Sequence, residues 1–216
     1  FTGELHIKNT IPIASNLGSS AALCLNISRL FCELGFIQAS QQHAFATHCE
    51  HFFHGTSSGF DIKALSCPSK HILLSHQHRY DIVQPLWHPP LYLLASTKKA
   101  STQTAIATVA QWQQQQWDRG KSIDKKMHEA SLLAFRAMTQ PTATSTLRYK
   151  WFKKAMQDAY QCYQHWGLAP AHTHKIIHNN RDTFSCITPI GAGGGGHLLA
   201  LAHPNEPHTT HTSEQL

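Results

Sequence analysis

The chain has 216 residues, 41% of them hydrophobic and 14% charged, and carries 18 Lys plus Arg against 12 Asp plus Glu for a formal net charge of +6. That length can bury a real core as one domain or two small ones. Its longest apolar stretches, Leu91 to Ala95 and Leu198 to Ala202, are far too short to span a bilayer, so no membrane association is expected. The basic residues fall in scattered pairs (Lys98-Lys99, Lys125-Lys126, Lys153-Lys154) without interleaved aromatics, which argues against nucleic-acid binding. No basic, apolar leader opens the chain. The six cysteines, at 24, 32, 49, 67, 162 and 186, form no Cys-x-x-Cys pair, and a reducing, cytoplasmic setting is expected.

In chain order, Leu5-His6-Ile7-Lys8 alternates and then meets Pro12, which predicts a strand ending before the proline. The opening Phe1-Thr2-Gly3-Glu4-Leu5 lacks methionine and runs straight into this pattern, so the chain is expected to begin part-way through a domain. Ser19 to Leu34 places Ala22, Leu23, Leu25, Ile27, Leu30, Phe31 and Leu34 at helical spacing, with Gly35 set to end the helix. Ser40 opens a second helix through His54, stopped by Gly55. Lys70 to Ser75 and Leu91 to Thr97 read as strands, separated by the turn-rich Gln84 to Pro90.

Beyond Thr97 the pattern becomes helical over Thr102 to Trp117, Ile123 to Met138 and Thr146 to Trp166, then over a short segment from Pro170 to Asn179. Phe184 to Ile190 and His197 to Ala202 read as strands flanking a glycine loop. The expected fold class is α+β, with a boundary at Trp87-His88-Pro89-Pro90 that separates residues 1–88 from 89–203. The polar tail from Pro204 to Leu216 is expected to be disordered. Histidine is abundant, and His48, His51 and His54 recur every three residues. A zinc site would need a third or fourth ligand that is not identifiable, so a polar helix face is the reading taken.

Three segments carry chemistry. Pro12 to Ala22 joins a strand pattern to a helix through small residues, two hydroxyls and a turn former. A loop entering a helix this way leaves backbone N–H groups facing outward at the positive end of the helix dipole. Two readings stay open at this point: a phosphate-binding loop, or an ordinary helix capped by serine. In the second segment, Glu50 near a helix end precedes Asp61, which lies beyond the loop Gly55-Thr56-Ser57-Ser58-Gly59. If that loop folds back, one carboxylate would hold a divalent cation and the other would orient or deprotonate a hydroxyl; otherwise they are a surface acid and a turn residue. The third, Gly191-Ala192-Gly193-Gly194-Gly195-Gly196, is either a flexible hairpin or a loop whose five glycines remove the side chains that would block a close approach.

Together these segments resemble the GHMP kinases, the superfamily of galactokinase, homoserine kinase, mevalonate kinase and phosphomevalonate kinase. Pro12 to Ala22 is similar to the family's Pro-x-x-x-Gly-Leu-Gly-Ser-Ser-Ala-Ala motif, and Gly191 to Gly196 is similar to its glycine loop. His54-Gly55-Thr56-Ser57-Ser58-Gly59-Phe60-Asp61 resembles the His-Gly-x-Pro-Ser-Gly-x-Asp motif of mevalonate kinases, and Lys99-Ala100-Ser101-Thr102 resembles the family's Lys-x-Ser-Thr segment. The resemblance runs from about Leu5 to Ala202.

It implies a two-domain fold: a ribosomal protein S5 domain 2-like N-terminal part, incomplete here, and a ferredoxin-like C-terminal domain. It also implies ATP and Mg²⁺ as cofactors. Backbone amides of Asn16, Leu17, Gly18, Ser19, Ser20 and Ala21 would cradle the ATP phosphates; Ser20 and Glu50 would hold Mg²⁺; Asp61 would be the catalytic aspartate. His54, Thr102, Gly191, Gly193, Gly194 and Gly195 would lie on the substrate side. The implied activity is phosphoryl transfer to a small-molecule alcohol, foremost mevalonate, in isoprenoid biosynthesis. Alternatives are transfer to phosphomevalonate or a sugar, or a non-catalytic ligand-binding or interaction protein of the same fold.

There are departures from the family pattern. Ala14-Ser15-Asn16 stands for the usual Gly-Ala-Gly, Ser57 for a proline, Ile62 for a frequent asparagine, Pro68-Ser69 for a Gly-Gly pair, and Thr188-Pro189-Ile190 for Lys-Leu-Thr. The family's first motif, of Pro-Gly-Lys-x-x-Leu-x-Gly-Glu-His type, is absent, so the chain is expected to be an incomplete member that associates with its own N-terminal segment or with a second copy.

Overall fold

Small side chains bring the first helices together. Helix α1 (Ser19–Glu33) packs on α2 (Gln42–His54), entered through a 3-10 turn at Ala39–Gln41, and on the short α3 (Phe60–Leu65). Their shared core is Ala21, Cys24, Leu25, Ala46 and Ile62, in which two alanines and a cysteine permit close helix approach. Gly35 ends α1 as expected, at φ 76°. The Phe36 N–H bonds the Phe31 carbonyl and the Gly35 N–H bonds that of Cys32, while the Phe31 and Phe36 rings meet at 5.6 Å. This is a Schellman ending with its hydrophobic contact.

The coordinates, a computed structural model, describe residues 4–55, 57–76, 79–96, 98–99, 101–204 and 214–215, without the side chains of His54, His76, Glu214 and Gln215. After the helices comes an antiparallel hairpin of β1 (Ile72–His76) and β2 (Arg79–Val83). A four-stranded antiparallel sheet follows in the order β4-β5-β3-β6, from β3 (Leu91–Ala95), β4 (Phe184–Pro189), β5 (His197–Ala202) and β6 (Glu214–Gln215). Between β3 and β4 the chain forms α4 (Thr102–Gln115), α5 (Trp117–Thr139), α6 (Ser145–His165) and α7 (Ala171–Asn179).

Strand β5 is apolar on both faces because both faces are covered. Leu198, Ala200 and Ala202 join Tyr92, Phe184 and Ile187 in a core that meets Ile176 and Ile177 of α7. Leu201 and Leu199 point the other way, toward Ala137 of α5 and Phe152 and Met156 of α6. Alternation along a strand produces this division, and a sheet buried on both sides reads as a continuous apolar run.

Four expectations are corrected. Leu5 to Lys8 is not a strand: residues 4–10 have no ladder partner among the described residues, and Leu5 and Ile7 are 61% and 60% exposed. An alternating sequence becomes a strand only where a neighbouring edge takes its backbone groups. Strand β2 falls in a stretch with no strand signal, since four of its five residues are exposed and its charges mask the apolar period. Helix α5 begins at Trp117, not Ile123, extended by the polar turn 118–122. In the tail expected to be disordered, Glu214–Gln215 pairs with Tyr92 and Leu93 of β3; residues 205–213 and 216 lie outside the described residues. No described helix is long and apolar enough to cross a membrane.

The turn between α5 and α6 is closed by Arg148, only 6% exposed. Its guanidinium donates to the carbonyls of Ala137, Met138 and Gln140, and its Nε donates to that of Ala143 at 2.9 Å. Replacing it by methionine removes these donors while keeping an apolar stem, so Arg148→Met is expected to lower the unfolding free energy by about 2–4 kcal/mol. Urea denaturation measures this; a loss below about 0.5 kcal/mol, the usual scale of surface changes, would contradict it.

Candidate functional site

Three residues of the 14–18 loop take left-handed backbone: Ala14 at φ 58°, Asn16 at φ 63° and Gly18 at φ 69°. Gly18 is the N-cap of α1, and no side chain caps the helix. Ser19 and Ser20 are the first helical residues, so the helix is not capped by a serine. They sit in the first turn of the helix, at the positive end of its dipole. Ser15 is buried, and its hydroxyl donates to the Pro12 carbonyl at 2.5 Å, which tightens the turn into the loop.

In the second segment a hydrogen bond brings Ser57 back to Glu50. Glu50, near the end of α2, is only 3% exposed. The Ser57 hydroxyl donates to its Oε2, and the Gly59 N–H donates to the same hydroxyl oxygen at 3.1 Å. Gly59 then caps α3, whose first turn carries the exposed Asp61. Ser57, which departs from the family's proline, supplies the hydrogen bond that a buried carboxylate requires. The sequence signal for that partnership was only the serine itself.

The glycine loop runs from the end of β4 to β5. Its Gly194 N–H bonds the Leu168 carbonyl and its Gly196 N–H that of Lys98, each at 2.8 Å, and the Tyr163 hydroxyl donates to the Gly191 carbonyl at 2.8 Å. Gly196 is needed for proximity: a β-carbon there would lie 2.6 Å from the Ser15 backbone.

One cleft, of about 1370 Å³, is lined by Asn16, Leu17, Gly18, Ser19 and Ser20, by Glu50 and Asp61, by Thr102, and by Gly191. Ser57, Ser58, Ser101 and Ala192 line it too, although they were absent from the candidate site set. Ser101 caps α4, accepting from the Thr104 N–H at 3.3 Å, and so sets Thr102 at the first helical position facing the cleft. Ala21 is the third residue of α1, with its side chain fully buried in the α1–α2 core. Gly193, Gly194 and Gly195 are not among the residues that line it: the Gly194 N–H bonds the Leu168 carbonyl, and β-carbons on Gly193 and Gly195 would lie 3.0 Å from Leu168 and 2.8 Å from the Lys99 carbonyl oxygen. The His54 side chain lies outside the described residues.

A serine hydroxyl and a buried carboxylate opening on one cleft form a hard-oxygen donor set, which suits Mg²⁺ shared with phosphate oxygens. Among the described residues no group of three or more His, Cys, Asp or Glu is placed to hold a metal by itself. The His48 and His51 rings pack at 5.8 Å on α2.

Residues 2–67 match the family model described as the GHMP kinases N terminal domain. Among curated proteins no match is found. Solved structures do resemble the chain. Mevalonate kinase from L. major, in complex with R-mevalonate, superposes with a TM-score of 0.62 at 19% identity, over 87% of this chain and 57% of that one. The Methanococcus jannaschii mevalonate kinase gives 0.66 at 18%, over 91% and 59%. The Lin0012 protein from Listeria innocua gives 0.68 at 12%, over 87% and 59%. The chain thus spans just under three-fifths of the length of these structures, and the likeness establishes its α+β fold.

Burial pushes the Tyr163 phenol up to about 12, while an unfolded tyrosine ionises near 10. Between those values the unfolded chain binds fewer protons than the folded one, so stability is fully present below about pH 10 and is lost as pH rises toward 12. The Cys24 and Cys186 thiols, pushed up to about 11 by burial, add the lower part of the same decline, from about pH 9. Tyr163→Phe is expected to make the decline between about pH 10 and 12 shallower in urea titrations. A slope equal to that of the parent protein would refute the assignment.

Proposed function

From the match of residues 2–67 to the GHMP kinases N terminal domain model and the likeness of the fold to mevalonate kinase structures, we propose ATP-dependent phosphoryl transfer to a small-molecule alcohol, with mevalonate as the acceptor and phosphomevalonate as the product. The observation that carries this reading is convergence. Segments near residues 16–20, 50–61 and 191–192, each read for its own chemistry, meet in one cleft together with residues 101–102.

The roles follow from placement. The amides at the start of α1 face the cleft with the dipole behind them and would bind the anionic phosphates. Ser20 and Glu50 would hold Mg²⁺, which supplies charge neutralisation on the phosphates when bound. Ser57 fixes the Glu50 carboxylate in one orientation through its hydrogen bond. Asp61, at the exposed first turn of α3, faces the space where an acceptor would lie. The acceptor hydroxyl oxygen attacks the γ-phosphorus, the bond from that phosphorus to the β,γ-bridging oxygen breaks, and ADP leaves. The hydroxyl proton passes to the Asp61 carboxylate. Positioning and charge neutralisation supply most of the rate in such transfers.

Turnover of mevalonate, phosphomevalonate and sugars with ATP and Mg²⁺ tests the proposal, with mevalonate expected to be preferred. Asp61→Asn keeps the side chain's size and removes its basicity, so kcat is expected to fall by about 10²–10⁴-fold. Glu50→Gln is expected to raise the Mg²⁺ concentration for half-maximal rate by roughly tenfold, since one anionic ligand is lost. Mevalonate turnover undiminished in Asp61→Asn sinks the role given to that carboxylate. MgATP binding without turnover of any acceptor would favour the non-catalytic alternative.

A further inference from the structure

Asn16 belongs to the phosphate-facing loop by its backbone and to the glycine loop by its side chain. Its Nδ2 donates to the Gly193 carbonyl and to the Gly195 carbonyl, each at 3.1 Å, across 177 and 179 residues of sequence. Both amide protons are thereby used, one per carbonyl. A third contact is steric, since a β-carbon on Gly191 would lie 3.1 Å from the Asn16 β-carbon. At φ 63° the residue is left-handed, a conformation that asparagine tolerates better than most residues that carry a β-carbon. A donor pair on a short side chain in left-handed backbone is something asparagine offers and glycine does not.

We propose that Asn16 is a positioning residue that couples the two loops. Its carboxamide holds the loop whose amides follow it at 17–20 against the glycine loop that brings Gly191 and Ala192 to the same cleft, so that the two loops bind a nucleoside triphosphate's phosphates as one unit. This rests on the phosphoryl-transfer reading of the cleft. The same regions are also joined without Asn16, by the His197 N–H to the Ser15 carbonyl at 2.9 Å, and Tyr163 of α6 holds the glycine loop at Gly191. Removing the carboxamide therefore loosens the spacing and leaves the fold joined.

Two variants of the full chain test it. Asn16→Gly accepts the backbone angle and deletes the side chain. Asn16→Asp keeps the shape but turns an acceptor toward two carbonyls. The measurements are thermal midpoint, amide hydrogen exchange across residues 190–197 without nucleotide, MgATP affinity by calorimetry, and KM for the acceptor. In both variants exchange in the glycine loop is expected to quicken and MgATP affinity to weaken, each on the order of tenfold, as for the loss of two modest hydrogen bonds. The thermal midpoint is expected to move by no more than a few degrees, and acceptor KM by less than about twofold, in contrast to the tenfold effect on nucleotide.

Unchanged MgATP affinity alongside faster exchange overturns the coupling alone, because the contact would then be merely structural. Equal losses in nucleotide and acceptor binding overturn it too. Parent protein that binds no MgATP overturns the reading of the cleft itself, and the function of Asn16 with it.

Discussion

Everything at the site depends on how closely the backbone at Ser15 and Asn16 lies against the chain at 193–197. Gly196 presses on the Ser15 backbone with no room for a side chain, the Ser15 carbonyl takes the N–H of His197, and Gly195 crowds the carbonyls of Lys98 and Lys99. Three stretches that are distant in sequence are thereby fixed as one wall: the turn into α1, the exit from β3, and the entry to β5. Strand pairing extends the constraint outward, because β5 is registered to β3 and β4 on either side. The cleft therefore inherits its shape from the sheet.

Electrostatically the cleft sets opposed elements close together. A helix start that no side chain caps attracts anions through its dipole. A buried glutamate repels them, and its burial is tolerable only because a serine hydroxyl serves one oxygen. Anionic phosphates and a carboxylate can share such a space when a cation lies between them. That makes the donor set more informative than either feature alone, because neither a bare helix start nor a lone buried acid would discriminate a metal-bound phosphate from any other anion.

The elements legible in the sequence were those whose signal is carried by their own residues. Helix α1 had its apolar spacing and its terminal glycine; β4 and β5 had short apolar runs around a glycine loop; Glu50 and Asp61 had a spacing that suggested a fold-back. What escaped was decided by neighbours. Leu5 to Lys8 alternates faithfully and still forms no ladder, because pairing is a property of two segments. Strand β2 hid because exposure leaves a strand no need for apolar residues. The site showed the same division. Asn16 was legible as a substitute for glycine in backbone terms, whereas the destination of its carboxamide lay 177 residues away. Ser57 read as a departure from a motif, and its meaning came only from the acid it faces.

The clasp of Arg148 around the α5–α6 turn gives the molecule two kinds of cohesion. Its bonds reach back no more than 11 residues, so this helical hairpin closes small loops and forms at little entropic cost. The contacts that tie Ser15 and Asn16 to residues 193–197 close loops of nearly the whole chain, and the cost of closure grows with the logarithm of loop length. They hold only when the elements on both sides are already in place. The hairpin can thus survive disturbances that the cleft cannot, and a protein that has lost its binding geometry need not have lost its helices.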